Sequence, residues 1–583
     1  MNKISILALT AAAITTGAYA KSVKVSSFGF DSADSTRFLQ AALDSGAEKI
    51  IVDKQATPWV TNPLFGRSNT EIIFEDGAEI LAKEGSFLGQ YDALLSFVAA
   101  TNVTIRGLGT GGTLRMRRED YRKPPYKRAE WRHTLNLLSC VNVTLLNMTM
   151  RESGGDGVYV GNAYGNPVYG PCRNVTIKDC TMDANLRQGI SVITVDGLLM
   201  ERCVMSNTAG ALPMAGIDFE PNKADEPVRN AILRDCRTFG NRGSGYELAF
   251  MSMISNSPAI SVTLENCTSE NDSCSFRFNG ENLKNSGYVS GVVNLNNCSF
   301  KNPRGSFFGL AIVRPSTTKF NVKGCVGVRG EKSINMTPDW MWQNFPLASS
   351  RANELPDERL KVSPSAKVVD KTPGKSVKIK ALKFRNVVRY SFYADKAKEI
   401  NLSGYQIKLG KYPVATKAIS IRNEKGLEVA TAKMPGEKTE AITFTVPKAG
   451  FYTMIVDVGR RAFALNSTDV PIAADVTNDW RDGLASISTA WISVPAGNGK
   501  FAVYASGSGG GELVGVKLND PNGKTVWEDA EVEGWKAYIS SKKPAPGLWQ
   551  FEMYRPKRGT FEDFKIDLAG VQGYFFLTPE KYW

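Results

Sequence analysis

In the stretch PMAGIDFEPN, residues 213–222, Asp218 and Glu220 stand two positions apart in a segment that reads as a β-strand. Side chains at i and i+2 of a strand point to the same face. Two carboxylates held that close repel each other, and folding alone has no use for the arrangement. Acid–base cleavage of a glycosidic bond does, because it needs one carboxyl to give a proton and another to act as base or nucleophile. Two further acids, Asp156 in GGDGVYVG and Glu247 in GSGYELAF, lie in similar segments. Asp218, Glu220, Asp156 and Glu247 are therefore the candidate catalytic groups.

The elements that must carry them repeat along the chain. NVTIRGL, NVTLLNM, NVTIKDC, GLLMERC, NAILRDC, SVTLENC, VVNLNNC and KFNVKGC are short alternating strands. Six of them end on a cysteine: Cys180, Cys203, Cys236, Cys267, Cys298 and Cys325, at steps of 23, 33, 31, 31 and 27 residues. Self-similarity at such a period, without any helical 3.6-residue pattern, marks a β-solenoid. The cysteines then read as reduced packing residues stacked from coil to coil. Asn185, Asn207, Asn241 and Asn271 follow four of them and read as a second, turn-forming ladder. Near the N-terminus, DSADSTRFLQAALDSG has a polar entry, helical apolar spacing and Gly46 as a stop, so a short helix caps the first coil.

Each coil has a second strand before its cysteine strand. Setting Gly157, Gly189, Gly216, Gly245 and Ser275 as one column gives steps of 32, 27, 29 and 30 residues. The inward positions beside it are then all apolar: Val158/Val160, Ile190/Val192, Ile217/Phe219, Tyr246/Leu248 and Phe276/Phe278. The outward columns read Tyr159, Ser191, Asp218, Glu247, Arg277 and Gly161, Ile193, Glu220, Ala249, Asn279. Small residues make an open floor with charged groups beside it, which describes a groove. Neighbouring coils lie about 5 Å apart and i, i+2 residues about 6.6 Å, so the cluster spans the separations of both retaining and inverting glycosidases.

The capping helix, the NVTI…C coils and GGDGVYVG together resemble the right-handed parallel β-helix superfamily of pectate lyases and polygalacturonases, over roughly residues 22–345. That resemblance implies a carbohydrate-active protein, and the superfamily includes hydrolases, lyases, epimerases and adhesins. Polygalacturonases carry Asn-x-Asp-Gly, an Asp-Asp pair, Gly-His-Gly and Arg-x-Lys on successive coils. Asp156 matches the aspartate of the first motif, whereas Gln188 stands where the Asp-Asp pair belongs. No Gly-His-Gly or Arg-x-Lys follows, so this is not an ordinary polygalacturonase. Lyases of the superfamily hold Ca²⁺ on groove carboxylates; otherwise no cofactor or metal is expected.

Substrate-binding groups are sought around the groove. Residues 115–133, RMRREDYRKPPYKRAEWRH, hold eight Lys/Arg against three acids and are too irregular for a strand. They read as a long loop over the groove, suited to a carboxylated or sulfated substrate. His133, the single histidine, with Arg132, Arg187, Gln188 and Arg277, can contact the substrate; Trp131, Tyr159 and Tyr246 can stack on sugar rings.

The bulk of the sequence sets the context. Met1, Asn2 and Lys3 lead into an apolar run ending in AYA before Lys21, which reads as a signal peptide over residues 1–20. The protein is expected to be exported, to periplasm or medium, with no membrane span. Its 583 residues exceed one domain, and a net charge of +13 suits a polyanionic partner, here an acidic polysaccharide or oligosaccharide rather than nucleic acid. GSGGGELVG at 507–515 lacks the βαβ context of a phosphate-binding loop. Residues 346–375 are polar and Pro-rich and read as a linker after a β-helix over 21–345. Short alternating strands with turns every 8–12 residues then predict two β-sandwiches, 376–472 and 473–583, as carbohydrate-binding or spacer modules.

The fold class is thus all-β, and the activity that of a glycoside hydrolase on an acidic glycan. A lyase or C5-epimerase using Arg187, Arg242 or Arg277 as base is the first alternative, and a non-catalytic glycan-binding β-helix the second.

Overall fold

Alternation of apolar and polar residues over four to seven positions, repeated once per coil, leaves each strand one buried and one open face. In a computed structural model these strands stack in parallel and in register. It describes residues 22–583 apart from 165–168, 283–286, 312–317, 346–347, 350–353, 355, 357–359, 364–365, 381, 478–480, 485 and 508–511. The signal peptide read at 1–20 and much of the linker read at 346–375 lie outside the described residues. The chain divides into two compact units, 1–216 and 217–583.

The first unit is a stack of three-sided coils. One sheet runs from Ser22–Lys24 through Lys49–Val52, Thr101–Gly107 and Cys172–Lys178 to Val195–Glu201. A second contains Gly112–Arg115, Met148–Arg151 and Thr181–Asp183, and a third Leu95–Val98, Leu135–Leu138, Asp156–Gly161 and Gln188–Val192. The pairing is parallel throughout, for example Val158 with Ile190 and Tyr159 with Ser191. The helix Thr36–Asp44 buries Leu39, Ala42 and Leu43, and Gly46 follows it at φ 75°. This is the expected cap.

The second unit opens with the same architecture. Val228–Arg234, Ile260–Glu265, Gly291–Asn296 and Thr318–Lys323 form one parallel sheet. Arg237–Phe239 to Cys325–Arg329 form another, and Ser244–Ala249, Cys274–Asn279 and Phe308–Ala311 a third. Tyr246 faces Ile217 and Phe276 along this third sheet, and Leu248 faces Phe219 and Phe278. All six are completely buried. The protein is therefore a parallel β-helix. Among the described residues no helix is long and apolar enough to cross a membrane.

The turns explain the ladders. Each residue before a ladder cysteine has left-handed backbone: Asp179, Arg202, Asp235, Asn266, Asn297 and Gly324, at φ 50–64°. Asn, Asp and Gly tolerate that region best. The corner turns the next residue inward, so the six ladder cysteines are buried; all nine cysteines of the chain are buried and free. Several thiols donate to a carbonyl of the preceding coil, such as Cys267 Sγ to Leu233 O at 3.4 Å and Cys325 Sγ to Leu295 O at 3.2 Å.

The asparagine ladder is two positions rather than one. Asn207 and Asn271 occupy left-handed turns, as do Ala184 and Gly240. Asn185 and Asn241 sit one residue later and are buried. Asn185 accepts from Ser153 N and donates to Met150 O. Asp272 holds the Asn241 position in its own coil. It accepts from Thr238 Oγ1 at 2.6 Å, Ser269 Oγ at 2.7 Å, and Asn241 N and Nδ2 at 2.9 Å each.

The C-terminal half of this unit corrects the expected pair of sandwiches. It is one antiparallel sheet from Val377–Lys378 to Tyr574–Phe576, nearly closed on itself like a barrel. Lys383–Ala394 pairs with Gly450–Thr468 and also with Ile472–Asp475 and Arg481–Leu484, so pairing runs straight across the boundary placed at 472. A single core joins Phe384 and Met454 to Phe551 and Ile566. Local alternation marks each strand correctly but carries no information about which distant strand it joins.

Asp272→Ala leaves four buried donors without their acceptor, and it should destabilise the second unit by about 3 kcal/mol in chemical denaturation. A loss below about 1 kcal/mol would show that this corner does not rest on the carboxylate.

Candidate active site

In the first unit the site begins with GGDG. A β-carbon on Gly155 would come within 2.7 Å of Glu130 O and 2.9 Å of Arg132 N, so only glycine lets the 130–133 backbone approach so closely. Gly154 forms an isolated bridge with Arg132. That approach delivers His133 to Asp156: the imidazole Nδ1 accepts from Asp156 N–H at 3.0 Å and lies 3.2 Å from Asp156 Oδ2. The ring stacks on Tyr159, with centroids 4.7 Å apart. Arg187 approaches from the next coil, its Nη1 3.6 Å from Asp156 Oδ2 and its Nε 3.8 Å from Glu130 Oε2. Gln188 faces Asp156 in register, is buried, and accepts from Ala215 N at 2.9 Å.

Burial, then the positive charge of Arg187, push the His133 pKa down to about 3. With Nδ1 accepting a backbone hydrogen bond, the neutral ring carries its proton on Nε2 and offers it as a donor.

The basic loop packs around Arg132. This side chain is completely buried, donating to Phe87 O at 2.8 Å and Lys127 O at 2.9 Å, with Tyr121 and Tyr126 rings at 5.6 and 5.7 Å. Arg132 thus ties the loop down, and it does not present its guanidinium to a substrate as expected. Lys123, Lys127 and Arg128 are exposed and form no ion pair among the described residues. Trp131 stacks face to face on Tyr91, centroids 5.0 Å apart, with Trp131 39% and Tyr91 70% exposed. Tyr91 and Glu130 were not identifiable from sequence, because both lie in irregular loops with no repeat to align.

In the second unit Asp218 and Glu247 are register partners on adjacent parallel strands, and Glu247 pairs next with Arg277. Side chains at paired positions share a face about 4.8 Å apart. Asp218 is completely buried, Glu247 is nearly so, and Arg277 is half exposed. Arg277 Nε lies 4.0 Å from Glu247 Oε2 and donates to Ser244 Oγ at 3.1 Å. Glu220 follows the strand Ala215–Phe219 and is half-buried. Tyr246, expected among the sugar-stacking groups, points inward, its hydroxyl donating to Cys236 O at 3.0 Å. Its neighbour Gly245 is buried too. A β-carbon there would collide with Thr238 Oγ1 and come within 2.6 Å of Asp272 Oδ2, so the expected glycine floor is closed here by the polar corner rather than open. Asp156, His133, Arg187, Gln188, Trp131 and Tyr159 therefore lie in one unit, and Asp218, Glu220, Glu247 and Arg277 in the other. Among the described residues no three His, Cys, Asp or Glu side chains are grouped to hold a metal ion.

No family model matches the chain. Over 218 residues it is 26% identical to the SPbeta prophage-derived uncharacterized protein YorA of Bacillus subtilis (strain 168). That match covers 35% of this chain and only 36% of the length of YorA. Solved structures that match the fold include a 1,3-α-1,4-β-D-galactose-4-sulfate-3,6-anhydro-D-galactose-2-sulfate 4 galactohydrolase. It is 12% identical, with a TM-score of 0.41 over 53% of this chain and 88% of that one. The polygalacturonase of Erwinia carotovora ssp. carotovora is 13% identical, with a TM-score of 0.36 over 56% and 96%. The tailspike protein gp49 of Acinetobacter baumannii bacteriophage Fri1, a capsular polysaccharide depolymerase, is 11% identical, with a TM-score of 0.33 over 78% and 86%.

Because the chain has one histidine, its titration is directly readable by NMR. In the native protein His133 should stay neutral, as the Nε2–H tautomer, from pH 8 down to about 4. The unfolded chain takes up that proton near the ordinary value of 6.5. The stabilisation from keeping His133 neutral is therefore complete above pH 6.5 and is lost as pH falls towards 3. A native midpoint near 6.5 would contradict the burial described.

Proposed function

We propose that the protein is an exported glycoside hydrolase that cleaves an acidic polysaccharide or oligosaccharide by two-carboxylate acid–base catalysis. The observation that carries this reading is the register pairing of Asp218 with Glu247, two acids facing one way on adjacent coils beside Arg277. Parallel stacking holds two carboxyl groups at close range there, the arrangement that two-carboxylate chemistry needs. Asp218, Glu220 and Glu247, all in the second unit, share the acid and base work. One carboxylic acid protonates the departing glycosidic oxygen as the bond from the anomeric carbon breaks. A carboxylate takes a proton from the attacking water, or attacks the anomeric carbon itself and is then released by water. The carboxyls end in their starting protonation states after product leaves.

At the acid pair substrate charge is met by Arg277, and within the first unit Arg187 and the exposed Lys123, Lys127 and Arg128 suit an anionic sugar. The Trp131–Tyr91 stack offers a flat apolar surface to a sugar ring. His133 donates from Nε2 to a substrate oxygen without carrying charge of its own.

Asp218→Asn and Glu247→Gln, each folded as judged by circular dichroism, should lower kcat by about 10²- to 10⁴-fold. Turnover within about threefold of wild type in both would remove the acid–base assignment. Trp131→Ala should raise KM by about tenfold with little change in kcat, since lost ring stacking is worth roughly 0.5–1.5 kcal/mol beyond area. An unchanged KM would take the aromatic pair out of the binding surface.

A further inference from the structure

The C-terminal sheet carries a second candidate site. In the strand Lys383–Ala394, Val388, Tyr390 and Phe392 fill the core, so Arg389, Ser391 and Tyr393 face outward. They stand opposite Ile455, Thr453 and Phe451 of Gly450–Thr468. On the other side of that strand, Arg422 of Ile419–Asn423 stands opposite Thr453. These outward residues form one wall of a cleft of about 720 Å³, bounded also by Lys361–Ser363 and by the turn at Asn423–Gly426. That volume suits one or two sugar residues.

The polar groups of the cleft divide by sign. Asp475, at 4% exposure, accepts from Ser391 Oγ at 2.7 Å, Thr477 Oγ1 at 2.6 Å and Thr477 N at 2.9 Å. Glu424 accepts from Phe451 N at 3.3 Å. Both acids are thus engaged. Lys361, Arg389 and Arg422 form no ion pair among the described residues, and the one hydrogen bond of the Arg422 side chain goes to Ser420 Oγ at 3.3 Å. Beside them the Tyr393 and Phe451 rings lie 5.0 Å apart and half-buried. Cations that pair with neither of the cleft's acids, a hydroxyl held in place by a buried carboxylate, and aromatic rings are the complement of an acidic sugar.

We propose that this cleft binds a carboxylated or sulfated sugar residue of the glycan on which the β-helix acts. The inference rests on the reading of the protein as glycan-active, and it adds a site remote in sequence from the acid pair. Arg389 and Arg422 take the anionic group, and Tyr393 and Phe451 take the apolar face of the ring. A second grip on one polymer raises the effective concentration of the rest of that chain at the protein. Long substrates gain from it, and short ones do not.

The test uses the full chain with Asp218→Asn, so that nothing is cleaved, and measures retention in gels containing polygalacturonate, a sulfated galactan or a neutral galactan. Adding Arg389→Ala and Arg422→Ala should weaken retention by the acidic polymer about tenfold or more. The neutral polymer should give no retention that depends on these residues. Response in the polygalacturonate or the sulfated gel identifies the carboxylate or the sulfate as the anion bound. In an otherwise wild-type chain, the two substitutions should leave kcat on short oligosaccharides unchanged and raise KM on the polymer. Retention unaltered in both acidic gels overturns the site, even if Asp218→Asn has abolished turnover. Retention lost on Arg389→Ala and Arg422→Ala in a protein that cleaves no glycan would instead leave this site standing and overturn the hydrolase reading alone.

Discussion

Parallel, in-register stacking of coils about 4.8 Å apart is the constraint on which the structure depends. Each side chain must tolerate its counterpart on the next coil, so every position becomes a column. Inward columns are continuous apolar files such as Tyr246 and Phe276, or Leu248 and Phe278. Corner columns are left-handed residues, Asp, Asn or Gly in every ladder coil but that of Arg202, followed by a buried cysteine. Asparagine side chains bond from coil to coil at a third column, as in Asn102 Nδ2 to Asn69 Oδ1 and Asn142 Nδ2 to Asn102 Oδ1. Columns of like residues satisfy themselves where they are apolar or amide. Asp218 and Glu247 break that pattern, setting one carboxyl group beside another in the column before Arg277.

The same constraint decides what could be read from the sequence. The column Gly157, Gly189 and the pairings Asp218–Glu247–Arg277 followed from aligning glycines and checking that the inward positions came out apolar. The register bears that alignment out within each unit. The alignment had already put Tyr246 on the inward side, and its hydroxyl satisfies itself on backbone carbonyls there. Arg132 was misjudged because charge alone does not say whether a guanidinium faces solvent or ties down a loop. Its partners Phe87 O and Lys127 O lie in irregular segments that no period connects. Tyr91 and Glu130 were missed for the same reason. The Asn185 and Asn207 positions differ by one residue within their coils, a shift smaller than the variation in coil length. The C-terminal strands were each legible, whereas their joining into one sheet depends on pairings such as Arg385 with Ala462 and Lys383 with Leu484, far apart in sequence.

Within the site, geometry assigns distinct physical roles to groups that look alike on paper. His133 is the only histidine, yet it is a neutral donor positioned by Gly155 and Asp156 rather than a titrating base near neutral pH. Of the eight cations of the 115–133 loop, Arg132 is structural, Arg118 and Arg122 pair with Glu119, and the exposed remainder is available to an anion. Positive charge therefore stands on the loop surface of the first unit, and the Asp218–Glu247 pair on a coil face of the second.

The most direct measurement is to incubate the purified protein with uronate-rich and sulfated polysaccharides and their oligosaccharides. New reducing ends are followed together with the ultraviolet absorbance of unsaturated uronides. The account predicts reducing ends from an acidic glycan with no rise in that absorbance. Reducing ends accompanied by unsaturated products would contradict it, because the bond would then break by proton abstraction rather than by hydrolysis at the carboxylates.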